Sequence, residues 1–98
     1  MTREQVLDNA KKCVMGDREQ DYGSPENNFD TIARMWAAYI RALPKDSTGN
    51  KCISPKDVAA MLALLKVARI ASGNGKDDNW IDLAGYAACG GELESIRG

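Results

Sequence analysis

Ser54-Pro55-Lys56-Asp57-Val58-Ala59-Ala60-Met61-Leu62-Ala63-Leu64-Leu65-Lys66-Val67-Ala68-Arg69-Ile70-Ala71 decides the fold of this chain. Ser54 is a helix N-cap, and Pro55 stands in the first turn, where its missing N–H costs nothing. Asp57, at the third helical position, can accept from free backbone donors and favours the positive end of the helix. From Val58 to Ala71 the stretch is apolar nearly all round, interrupted only by Lys66 and Arg69. A helix without a polar face belongs in the middle of a bundle, so further helices are expected on both sides of it.

Those helices are legible outward from it. Downstream, Gly73-Asn74-Gly75 makes a tight turn. A fourth helix is expected from Asp77 or Asp78 through Trp80, Ile81, Leu83, Ala84, Ala87 and Ala88. Gly85 is expected at a close helix contact, and Gly90-Gly91 is expected to break or fray the helix. So short a turn makes the third and fourth helices an antiparallel hairpin. Upstream, Lys45 to Ile53 reads as a solvent loop. Before it, Ser24-Pro25 opens a second helix whose stripe is Phe29, Ile32, Trp36, Tyr39, Ile40 and Leu43, ended by Pro44. Asp17 to Gly23 lacks periodicity and reads as a loop carrying one aromatic. At the start, Thr2 and Gln5 have capping-box spacing, with Val6, Ala10 and Cys13 or Val14 at helical period and Gly16 as the stop. Strand-type alternation is absent. The expected fold is therefore all-α: a compact bundle of about four helices in a single domain, residues 1–98. At this size about a third of the surface stays exposed on folding, so a homo-oligomer is expected.

Composition removes several functions. With 13 basic and 14 acidic residues the net charge is −1, which does not suit a duplex-DNA binder. The polar start carries no signal sequence, and no apolar run approaches the roughly 20 residues of a membrane span, so a cytoplasmic location is expected. The three well-separated cysteines, Cys13, Cys52 and Cys89, fit reduced thiols. With no histidine, the commonest general base and zinc ligand is missing.

One polar constellation stands out. Across a turn centred near residue 74, Lys66 lies level with Asp82 and Arg69 level with Asp78. Lys66 and Arg69 share one face at i, i+3, and Asp78 and Asp82 share one at i, i+4. One reading is structural: two interhelical ion pairs fix the register. The other is a ligand site, in which the cations reach a phosphate while the carboxylates orient them or accept from ribose or base donors. Arg18, Asp21, Tyr22 and Gly23 form a second candidate. There Tyr22 either stacks on a base or plugs the end of the bundle. Trp36 and Trp80 read as core or subunit contacts, with Trp80 also a candidate ligand contact. If a metal is bound, Asp78 and Asp82 are its candidate ligands, since Mg²⁺ is usually held by one or two carboxylates together with phosphates.

The motifs Arg18-Glu19-Gln20-Asp21-Tyr22-Gly23-Ser24-Pro25, Asn28-Phe29, Asp57-Val58-Ala59, Lys66-Val67-Ala68-Arg69 and Asp78-Asn79-Trp80-Ile81-Asp82-Leu83-Ala84-Gly85-Tyr86 together resemble a family of short phage and prophage proteins of unknown function. The resemblance covers nearly the whole chain and implies action in the bacterial cytoplasm. A more distant likeness is to the MazG-like all-α nucleotide pyrophosphohydrolases, which hold Mg²⁺ on acidic motifs of facing helices. Asp78 and Asp82 look like one such motif, but the usual Glu-x-x-Glu partner is missing. Three readings follow. The first is a binding protein that sequesters a nucleotide or nucleotide-derived immune signal, with no cofactor, through Lys66, Arg69, Asp78, Asp82, Arg18, Asp21, Tyr22 and Trp80. The second is a Mg²⁺-dependent nucleotide pyrophosphohydrolase using Asp78 and Asp82, with Glu19 or Asp21. The third is a module that docks on a host protein.

Overall fold

A computed structural model describes residues 1–15, 25–73 and 77–97. Its helices are α1 (Arg3–Met15), α2 (Pro25–Ala42), α3 (Pro55–Ala71) and α4 (Asp77–Arg97), with no strand among the described residues. The all-α expectation therefore holds.

The helix starts follow the sequence. At α1 the Gln5 amide donates to Thr2 Oγ1 over 3.1 Å and the Thr2 amide donates to Gln5 Oε1 over 2.8 Å, a reciprocal capping box. At α3 both the amide and the hydroxyl of Ser54 donate to Asp57 Oδ2 over 2.8 Å. The end of α2 is held from a distance, because the Lys51 ammonium donates to the carbonyls of Ile40 and Arg41. A cation there meets the negative end of the helix dipole. The loop before Lys51 is built around Asp46, which accepts from the amides of Thr48 and Asn50 and from the Thr48 hydroxyl. Led by the hydroxyl of Thr48, these donors pull the Asp46 carboxyl down to about 2.

Packing is centred on α3, with α4 on one side and α2 on the other. Toward α2, the Trp36 indole donates to the Met61 carbonyl over 2.7 Å and the Tyr39 hydroxyl donates to Asp57 Oδ1 over 2.5 Å. Toward α4, Ala59 meets Gly90 and Lys66 meets Asp82. Asp57 and Ala59 are two residues apart, which is about 200° around a helix. The two neighbours of α3 therefore lie on opposite sides, and α2, α3 and α4 form a layer. Such a layer encloses little. Among the described residues, Ile32, Ala59 and Ala68 are the buried apolar ones.

Three features differ from expectation. Helix α4 runs through Gly90-Gly91 without breaking, because Gly90 is where α4 meets α3: a Cβ there would lie 3.3 Å from that of Ala59. Gly85, expected at a close contact, has nothing near it. On α2 the expected stripe packs inward at Ile32, Trp36 and Tyr39 but not at its start. Asn28 is buried, while Phe29 is 64% exposed.

Candidate functional site

The hairpin of α3 and α4 has a constant register. Lys66 pairs with Asp82, Ala59 faces Gly90, and Lys56 pairs with Glu94 over 2.7 Å. Each step back along α3 is matched by a similar step forward along α4. The antiparallel pairing of α2 with α3 is equally regular, with Trp36 at Met61 and Tyr39 at Asp57. Continued back along α2, that register brings Asn28 level with the end of α3, near Arg69. The same end receives the start of α4 with Asn79.

Buried polar groups concentrate at this end. Asn28, Lys66 and Asn79 are each less than a tenth exposed. The Lys66 ammonium lies 2.8 Å from Asp82 Oδ2; its side chain is 10% exposed, against 46% for Asp82. A buried cation thus sits against a carboxylate that opens to water. Arg69 follows Lys66 by one turn and is half-buried. Asp78 precedes Asp82 by one turn and is exposed. The carboxamide oxygen of Asn28 is buried and has no donor among the described residues. A buried polar atom left without a partner costs about 1–3 kcal/mol, so its retention calls for a reason.

Trp80 does not join this group. It stands about 200° around α4 from Asp82, on the other flank, and is 59% exposed. Arg18, Asp21 and Tyr22 lie outside the described residues. The missed members, Asn28 and Asn79, carried a weak signal. Asn28 stands four residues before Ile32, in step with the apolar stripe. The sequence reading placed Phe29 in the stripe on hydrophobicity instead.

The donor set does not complete a Mg²⁺ site among the described residues. Asp82 is engaged by Lys66, and no group of three or more His, Cys, Asp or Glu side chains comes together there. The opposite end of the layer holds another polar group, and it is fully matched. Asp57 accepts from Tyr39 and twice from Ser54, and these bonds, the Tyr39 one foremost, hold its carboxyl below the usual range. Donating to Asp57, with help from burial and the Asp57 and Glu94 charges, pushes the Tyr39 phenol up to about 12. No described helix is long and apolar enough to cross a membrane.

Comparison with known proteins gives these motifs company. A family model described as "Domain of unknown function (DUF6378)" matches residues 5–94. The Gene 55 protein of Mycobacterium phage L5 is 37% identical over 92 residues, covering 94% of this chain and 52% of that relative. The Gene 55 protein of Mycobacterium phage D29 is 35% identical over 86 residues, covering 88% of this chain and 51% of that relative. The chain spans about half the length of these curated relatives. No solved structure matches it.

Proposed function

The chain belongs to the DUF6378 family, which has phage members, and on that premise we propose that it is a non-catalytic binding protein that retains a nucleotide or nucleotide-derived signal without turning it over. The observation that carries this reading is the buried, unsatisfied carboxamide oxygen of Asn28 at the end of the layer where Lys66 is also buried. A carboxamide both donates and accepts, so it suits the edge of a base or a ribose hydroxyl. Lys66 and Arg69 supply the phosphate contacts, and Asp78 and Asp82 orient these cations or accept from ribose. Tyr22 stacks on the base. Trp80 is left out, because it faces the other flank. For a phage protein, the matching role is sequestration of a nucleotide immune signal in the host cytoplasm.

The test mixes the purified protein with deoxynucleoside triphosphates, cyclic dinucleotides and cyclic ADP-ribose isomers in the presence of Mg²⁺. The protein is filtered away, and the filtrate and the heat-released fraction are run by HPLC. The expected result is one compound missing from the filtrate and returned intact on heating, with retention lost in Arg69→Ala at unchanged helical signal. New product peaks would make the protein an enzyme and overturn the reading. Passage of every compound unchanged would also overturn it.

A further inference from the structure

Phe29 directly follows Asn28 and holds its ring largely in water, at the end of the layer where the orphaned acceptor lies. Single exposed apolar side chains are ordinary, so exposure alone assigns nothing to it. The direction in which the ring stands does. Helices α2 and α4 both run antiparallel to α3, so they run parallel to each other. Asn28 is buried against α3 from one side and Asn79 from the other. Phe29 stands about 100° on from Asn28, and Asp82 about 60° back from Asn79. Because α2 and α4 meet α3 from opposite sides, a forward turn on one and a backward turn on the other lead to the same face of the layer. On α3, which runs the other way, Arg69 is about 120° on from Asp57, the residue that meets α2, and that turn leads to the same face again. Phe29, Arg69 and the water-facing Asp82 thus share one face. Trp80, about 100° on from Asn79, stands on the opposite one.

These neighbours narrow the ligand. An acceptor without a donor calls for an N–H or an O–H. An exposed aromatic face calls for a second flat ring, and every nucleobase has one. A ribose hydroxyl satisfies the oxygen of Asn28 but leaves the ring of Phe29 bare. A free polyphosphate satisfies neither. A nucleobase satisfies both, with an N–H on its edge and a planar ring behind that edge. Its phosphates then fall to the cations Arg69 and Lys66.

We infer that Phe29 is a base-stacking residue of the ligand site, and that the ligand is recognised through a nucleobase whose N–H edge donates to Asn28 Oδ1. The inference rests on the nucleotide-binding reading and adds to it that the base, and not the phosphate chain alone, is selected. Phe29 serves beside Tyr22, so its loss weakens binding rather than abolishing it.

Isothermal titration of the whole chain tests it, with deoxynucleoside triphosphates, cyclic dinucleotides, cyclic ADP-ribose isomers, purine deoxyriboside triphosphate and tripolyphosphate as probes. Purine deoxyriboside triphosphate keeps the ring, sugar and phosphates but has no N–H on its base. At least one natural nucleotide should bind, and the purine analogue and tripolyphosphate should bind more weakly by about tenfold or more. Phe29→Leu keeps an apolar side chain without the ring and should weaken the bound nucleotide by about tenfold to a hundredfold. Its thermal midpoint should match the wild type, because the ring is largely in water. Phe29→Trp should restore binding, with its added emission quenched by the nucleotide and not by tripolyphosphate. Trp80→Leu removes the aromatic on the opposite face and should leave binding unchanged. Nucleotide binding that is unaltered in Phe29→Leu, or that the N–H-free analogue or tripolyphosphate matches, would overturn this inference and leave the nucleotide-binding reading standing. A lowered midpoint in Phe29→Leu would give the ring a packing role and overturn it too. Failure of every probe to bind would overturn both.

Discussion

The two ends of the helical layer treat buried polar groups in opposite ways. At the start of α3, Asp57 is buried and every oxygen has a donor: Tyr39 on one, Ser54 amide and hydroxyl on the other. At the far end, Asn28 is buried with its carboxamide oxygen unmatched, and Lys66 is buried against a carboxylate that is itself half in water. A matched network locks two helices together and needs nothing more. An unmatched one costs stability and is worth keeping where something else supplies the missing partner. The difference sets a matched clasp at one end of the layer against the end that carries the proposed site.

Breaking the matched end should have the largest effect. Asp57→Ala strands the Tyr39 hydroxyl and two Ser54 donors and unhooks α2 from α3, so a loss of about 3 kcal/mol is expected in urea unfolding. A loss below about 1 kcal/mol would mean that water replaces the carboxylate and the clasp is not structural.

Alkaline pH sharpens the same point. The Tyr39 pKa is raised by folding from 10.0 to about 12. Its contribution is therefore complete below pH 10 and is lost as the pH climbs to about 12. The stability gap between wild type and Tyr39→Phe should narrow across that window. A gap that stays constant would show that the phenol does not depend on its proton.

The smallest expected effect is at the other end. Asn28→Leu fills the same space without an unmatched oxygen, so thermal stability should be unchanged or rise by about 1 kcal/mol, while ligand retention disappears. Destabilisation by several kcal/mol would give Asn28 a structural role and dissolve the contrast between the ends.

The sequence by itself determined the helices and their order. Ser-Pro and Thr-x-x-Gln starts and the Pro44 stop act within a few residues, so they are readable without knowing the fold. The stretch Val58 to Ala71, apolar nearly all round, announced a central position for α3, and the few residues between α3 and α4 set the register that puts Lys66 against Asp82. Only the tertiary structure decided what depends on residues distant in sequence. Tyr39 finds Asp57 eighteen positions away, and Lys51 reaches back to the end of α2. Gly90 continues a helix that local propensity would have ended, because its missing Cβ lets α4 touch Ala59. Asn28 rather than Phe29 turns inward, since the face that packs is fixed by where α3 lies and not by which residue is more apolar. Local chemistry fixes where a helix starts and stops; which of its faces is buried depends on what it meets.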